Sequence, residues 1–129
     1  MTPKQTGILG EKIAIKFLKK KGYQILDKNF CFRILGSPRK GEIDIIAKKR
    51  DTISFIEVKT IRDSPRGTVP NFRPEDKVDF FKQRKLKKTA ESWLVKQKIS
   101  LDSKWQIDVI SIIIDSNSKK AKIRHFKNV

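Results

Sequence analysis

The chain has 129 residues, enough for one domain with a real core and too few for two comfortable ones. Lysine and arginine number 31 against 14 acids, giving a formal net charge of +17 and a pI near 10.2. A small domain this basic most commonly meets a polyanion such as DNA or RNA, the bland competitor being a lysine-rich protein that is merely well solvated. The 37% of hydrophobic residues fall in periodic segments, so the chain is expected to fold. A single cysteine, Cys31, excludes an internal disulfide and a multi-cysteine zinc site and suits a reducing compartment. No apolar run approaches the ~18 residues of a membrane span, and the N-terminal stretch lacks the apolar region of a signal peptide. The expected setting is the cytoplasm, away from any membrane.

Thr6 to Lys21 reads as a helix closed by Gly22, a residue suited to the left-handed cap. Steps of ~100° per residue gather Leu9, Ile13, Ala14, Ile15, Phe17 and Leu18 on a wide apolar arc, with Lys12, Lys16, Lys19 and Lys20 opposite. Glu11 falls inside the apolar arc. Burying a carboxylate there without a partner is costly, so either it has a partner or it serves the positive end of the helix dipole at the arc's edge. Tyr23 to Ile34 reads as a strand, followed by a turn rich in Gly, Ser and Pro.

Two further strands, Glu42–Lys48 and Ile53–Lys59, flank a short polar turn at Arg50 and Asp51 and are expected to form an antiparallel hairpin. With those two residues in the turn, Asp44 faces Glu57 and Glu42 faces Lys59, and a slip of one residue would mix both faces. Like charges facing each other at about 5 Å repel, so a positive charge is required between Asp44 and Glu57 if both ionise. Lys59 supplies part of it. Two readings of the cluster are open: a cross-strand salt-bridge ladder on a solvated face, or two hard oxygen ligands for Mg²⁺ or Mn²⁺ with an ammonium beside them.

Thr60 to Asp76 carries three prolines and three arginines with little periodicity and reads as a long exposed loop. A second helix is expected from about Pro74 to Lys98, with acids in its first turn and an apolar line of Val78, Leu86, Ala90, Trp93 and Leu94. Trp105–Ile114 is a strong strand and Ala121–Phe126 a weaker, edge-proximal one. His125 stands alone in sequence and reads as structural or exposed. Cys31 reads as a buried strand residue, Asp108 as a supporting group or an edge acid, and Trp93 and Trp105 as core aromatics. No nucleotide-binding fingerprint is present.

The strings "GEIDIIA" (from Gly41) and "FIEVKT" (from Phe55) resemble the two halves of the PD-(D/E)XK signature of restriction-endonuclease-like nucleases. The ordered set "G-x-x-G-E", "A-x-x-F-L", "GY-x-I-L", "N-F-x-x-R", "GEIDIIA", "FIEVKT", "K-Q-R-K-L-x-x-x-A", "IDVI" and "I-x-H-F" covers most of the chain and is similar to the YraN family of uncharacterised bacterial proteins. The resemblance implies one α/β domain over 1–129 with a central mixed sheet flanked by helices. It implies catalytic roles for Asp44, Glu57, Lys59, Glu11 and Gln83, with Glu11, Asp44 and Glu57 holding Mg²⁺ (or Mn²⁺). Lys82 is the lower-ranked match to the polar helix position, and Glu42 ranks below Asp44 as a ligand. The implied activity is a metal-dependent endonuclease acting on DNA, with branched or junction DNA suggested by analogy with Holliday junction resolvases. Cutting such a junction calls for two symmetric active sites, hence a homodimer. The alternative is a nucleic-acid-binding or scaffolding module without turnover. The 60–76 connection departs from the family pattern in being long and basic; its Arg62, Arg66 and Arg73, with Lys82 and Arg84 beyond it, are candidates for gripping a phosphate backbone or simply a solvated basic surface.

Overall fold

A computed structural model describes residues 2–33, 40–62, 80–115, 117–118 and 120–129. Helix α1 (Pro3–Lys20) begins at an N-cap, Thr2, whose hydroxyl accepts from the Gln5 N–H while the Gln5 side chain accepts from the Thr2 N–H. This reciprocal pair satisfies two donors that a helix start otherwise leaves open, and Pro3 adds a preset backbone angle. The far end closes as the sequence suggests. The N–H groups of Gly22 and Tyr23 return to the carbonyls of Lys19 and Leu18, with Gly22 at φ +92°. The buried line of α1 is Thr6, Gly10, Ala14 and Leu18, while Leu9, Ile13, Ile15 and Phe17 flank it half-buried. The apolar arc is therefore centred on small residues, which let α1 lie close to the sheet.

Five strands follow: β1 (Gln24–Arg33), β2 (Lys40–Lys49), β3 (Thr52–Arg62), then helix α2 (Phe80–Lys96), β4 (Trp105–Ile114) and β5 (Ala121–Phe126). They form one sheet in the order β1-β2-β3-β4-β5, antiparallel throughout except for the parallel β3–β4 pair. A parallel pair needs a crossover, and α2 lies within it. The sheet is sandwiched. Ala14, Leu18, Tyr23, Ile45, Ala47, Ile56, Ile110 and Ile112 form one core with α1, whereas Ile43, Ile46, Phe55, Leu86, Ala90, Trp93 and Leu94 form the other with α2. Because neighbouring strand residues face opposite helices, the central runs are apolar without alternation, as expected for strands buried on both faces. Phe55 anchors the α2 side, with Trp93 and Trp105 edge-on to it at 5.7 Å each. The architecture is thus a single α/β unit with a mixed sheet flanked by helices, consistent with a restriction-endonuclease-like core.

Several expectations are corrected. Thr60, Ile61 and Arg62 belong to β3, which the parallel pairing with β4 carries on to Arg62↔Ile114; the rest of the expected basic loop, with Arg66 and Arg73, lies outside the described residues, as do Pro74 and Val78. Cys31 is exposed rather than buried, its thiol 3.3 Å from Glu42 Oε1. Asp108, far from an edge, is wholly buried. Its carboxylate meets His125 Nε2 at 2.8 Å, the Gln106 amide at 3.0 Å and the Asn128 N–H at 2.9 Å, so the cost of burying it is met by hydrogen bonds. His125 is the inner partner of that group, with the rings of Phe17 and Tyr23 against it.

Candidate active site

The site lies where β2 and β3 part. Their ladder runs from Lys49↔Thr52 to Ile45↔Ile56, the register expected from a turn at Arg50 and Asp51. Asp44↔Glu57 and Glu42↔Lys59 are not ladder pairs among the described residues. Beyond Ile45, β2 continues along β1 as far as Lys40↔Arg33, and β3 continues along β4. A side chain takes over from the ladder at that point: Asp44 Oδ2 accepts the Val58 N–H at 2.8 Å. The hairpin therefore forks, and its charged residues sit at the fork rather than on a flat surface.

Burial pushes Asp44 up to about 6, against the stabilising Val58 N–H, with the charges of Glu11 and Glu57 adding to the rise and Lys59 opposing it. Glu11 is thus close enough for its charge to be felt, although it comes from a different element. Its position depends on Gly10. A Cβ on Gly10 would lie 1.8 Å from Thr60 Oγ1, so only glycine lets the N-terminal half of α1 press against the end of β3. Gly41 has the same role for the other helix, since a Cβ there would lie 1.9 Å from Thr89 Oγ1 on α2. Asn29, at φ +54°, sets its side-chain amide beside Glu11, 3.2 Å from each carboxylate oxygen in the amide orientation that lets its nitrogen donate.

The Glu57 side chain is largely enclosed, 13% exposed. Its Oε1 is gripped by two ammonium groups, Lys59 Nζ at 3.1 Å and Lys82 Nζ at 2.5 Å. Its Oε2 is buried and has no hydrogen-bond partner among the described residues. Burial depresses the Lys59 ammonium, the hydrogen bond with Lys82 adds to this, and Glu57 pulls the other way. Lys82 is raised despite its burial, by its hydrogen bonds to Glu57 and Lys59 and by the charges of Glu57 and Asp44.

Lys82, rather than Gln83, is therefore the α2 residue that reaches Glu57. Both are half-buried, and both precede Leu86 by one helical turn, so spacing alone could not choose between them. Lysine's longer chain and charge decide the contact. Glu42 turns to the β1 side, toward Cys31, and the exposed Arg62 and Arg84 lie near the ends of the elements flanking the loop.

A hard divalent cation suits this donor chemistry. An orphaned, buried carboxylate oxygen on Glu57 and a carboxyl held above its ordinary range on Asp44 both mark a shortage of positive charge or donors. No three carboxylate, histidine or cysteine side chains converge as a metal-holding group among the described residues. Mg²⁺ needs no such cage: it keeps several waters and is commonly held by one or two carboxylates together with substrate phosphates.

The pattern of the Uncharacterised protein family UPF0102 matches residues 10–112, from the glycine before Glu11 to the end of the buried run of β4. The chain belongs to that family. Similar UPF0102 proteins include one from Caldicellulosiruptor bescii, 40% identical over 129 residues covering 99% of this chain and 98% of its own. Another, from Clostridium tetani, is 39% identical over 125 residues, covering 97% and 93%. A third, from Alkaliphilus oremlandii, is 38% identical over 125 residues covering 97% of both chains. UPF0102 is the YraN family whose ordered strings the sequence resembles. The match includes every residue of the fork: Glu11, Asp44, Glu57, Lys59 and Lys82.

Proposed function

We propose that this UPF0102 protein is a divalent-metal-dependent endonuclease that hydrolyses DNA phosphodiester bonds. The observation that carries the reading is Glu57, clamped through one oxygen by Lys59 and Lys82 while the other oxygen lies buried without a partner, beside Asp44 and within the field of Glu11. In it, Asp44 and Glu57 would hold the Mg²⁺ or Mn²⁺, and Glu11 would add negative charge beside them. The bound ion would supply an activated water and neutralise charge developing at phosphorus. Lys59, with an ammonium depressed by burial, would orient that water and serve as the nearby group for its proton. Lys82 balances Glu57 until substrate and metal arrive and then faces the phosphate oxygens. The net charge of +17 favours the approach of a polyanion.

Junction or branched DNA is the preferred substrate by the resolvase likeness, and it requires a homodimer. A second reading, a DNA-binding module without turnover, is favoured by one feature: two lysines already satisfy Glu57 Oε1 without any metal. Incubation with linear, nicked and four-way-junction DNA in Mg²⁺, Mn²⁺ or chelator, beside Asp44→Asn and Lys59→Ala, separates the two. Metal-dependent cutting lost in both variants supports the nuclease. Binding of DNA without cutting in either metal would leave only the second reading.

A further inference from the structure

At the opposite end of β3 from the fork, a cavity of about 350 Å³ opens beside the β2–β3 turn. Lys49, Arg50 and Lys127 line it, and none of them has a carboxylate partner among the described residues. The acid on its rim, Asp51, is already engaged with Lys104 at 3.0 Å. Lys49 Nζ lies 5.3 Å over the ring of Tyr23, which fixes one ammonium at the wall. Arg50 occupies φ +56°, a region that favours glycine or asparagine over arginine. A costly backbone angle held by a long cationic residue is more readily understood if the side chain is used. Ser54, 2% exposed, also lines it and brings a hydroxyl-bearing side chain to the wall.

We propose that this cavity binds a phosphate group. Three cations without a carboxylate partner among the described residues, together with a serine in the lining, suit an anion with several acceptor oxygens and more than one negative charge, as a phosphate ester is and a simple carboxylate is not. The volume exceeds that of the phosphate alone and reaches the range of small-ligand pockets, about 300–1,000 Å³, leaving room for an attached sugar. The phosphate comes either from a nucleic-acid backbone or from a free nucleotide. At roughly 3.3 Å per strand residue, Ser54 and Lys59 are separated by on the order of 16 Å along β3. A strand anchored here is thus a few nucleotides from the fork. The proposal stands on the cavity alone and does not require the fork to be catalytic.

Calorimetric titration of the full chain in chelator, with inorganic phosphate, a nucleoside monophosphate and a short DNA duplex as probes, tests it. The variants are Lys49→Ala with Lys127→Ala, Ser54→Ala, and a control, Lys19→Ala with Lys20→Ala, that removes the same charge from the exposed side of α1. The wild type is expected to bind phosphate or the monophosphate, with about tenfold loss or more in the cavity double variant, a smaller loss in Ser54→Ala, and none in the control. A fall in DNA affinity beyond that of the control identifies the backbone as the source; an unchanged DNA affinity with lost monophosphate binding identifies the nucleotide. Because the titrations are made in chelator, they read binding and not cutting at the fork, so a failed nuclease reading would not be mistaken for a failed cavity. The proposal is overturned if neither small probe binds the wild type and the cavity variant loses no more DNA affinity than the control, or if the cavity variants bind all three probes like the wild type.

Discussion

Replacing Asp44 by Asn should make the metal-free protein more stable at neutral pH, and the structure gives the size. Asp44 titrates at about 6 in the fold against 3.8 when unperturbed, because burial disfavours its charge and Glu11 and Glu57 repel it. For an acid raised in the folded state, the associated stability is complete below pH 4. It falls as the unfolded chain releases its proton first, and is gone above about pH 6. At ~1.36 kcal/mol per unit, a shift of about two units amounts to about 3 kcal/mol. Asn keeps an oxygen for the Val58 N–H and cannot ionise, so the variant should match the wild type near pH 4 and exceed it by up to about 3 kcal/mol at pH 8. In a chain of this length that corresponds to roughly 10 °C in Tm. Urea or thermal unfolding at both pH values in chelator measures it, and the change in the difference between pH 4 and pH 8 is the diagnostic quantity. With Mn²⁺ at a thousandfold excess over Kd the order should reverse, since only the wild type gains binding free energy, about 4.1 kcal/mol there. An Asn variant no more stable than the wild type at pH 8, or equally displaced at both pH values, would falsify the burial argument.

Lys82→Ala should raise Mn²⁺ affinity on the order of tenfold in a calorimetric titration, because one of two ammoniums competing for Glu57 is gone; weaker binding would show that Lys82 supports the ion instead. Gly10→Ala should cost about 1–3 kcal/mol despite alanine's better helix propensity, since its methyl meets Thr60, and adding Thr60→Ala should recover part of the loss; additive losses in denaturant melts would argue against that contact. His125→Ala should destabilise by roughly 1–3 kcal/mol by leaving buried Asp108 short of a partner, while cutting per folded molecule stays at the wild-type level; a change in Mn²⁺ affinity would be unexpected. Amide exchange at Val58 should be slow in the wild type and in Asp44→Asn but fast in Asp44→Ala, and equal protection in all three would mean that the Asp44 bond does not hold the fork.

Elements governed by local periodicity were legible. The strands Trp105–Ile114 and Ala121–Phe126 fall where their sequence pattern puts them, and the turn at Arg50 and Asp51 sets the hairpin register. What local patterns miss is tertiary. The extension of β3 through Thr60 to Arg62 depends on β4, which lies some fifty residues on and supplies the parallel ladder. The buried line of α1 runs through Thr6 and Gly10, residues a hydrophobicity pattern passes over because their role is to be small. Asp108 and His125 looked unrelated in sequence and meet only because β4 and β5 pair with Ile110 facing His125. At the fork, composition and spacing singled out Glu11, Asp44 and Glu57, but the choice between Lys82 and Gln83 required the packing of α2 against β2.

Asp44 connects the fork's structure to its chemistry. Its Oδ2 replaces a strand carbonyl as partner of the Val58 N–H, so the separation of β2 from β3 does not leave that donor stranded. The same placement buries the carboxyl and brings it within the field of two other acids, which is why its proton is retained to about pH 6. A divalent cation held here would favour the ionised carboxylate, and Asp44 could keep its bond to the Val58 N–H. Metal binding would therefore not need to undo the contact that opens the fork. The acid is destabilised on its own yet structurally committed, and Glu57, with one oxygen clamped and the other orphaned, has the same character. A surface salt-bridge ladder would have no reason to bury either of them.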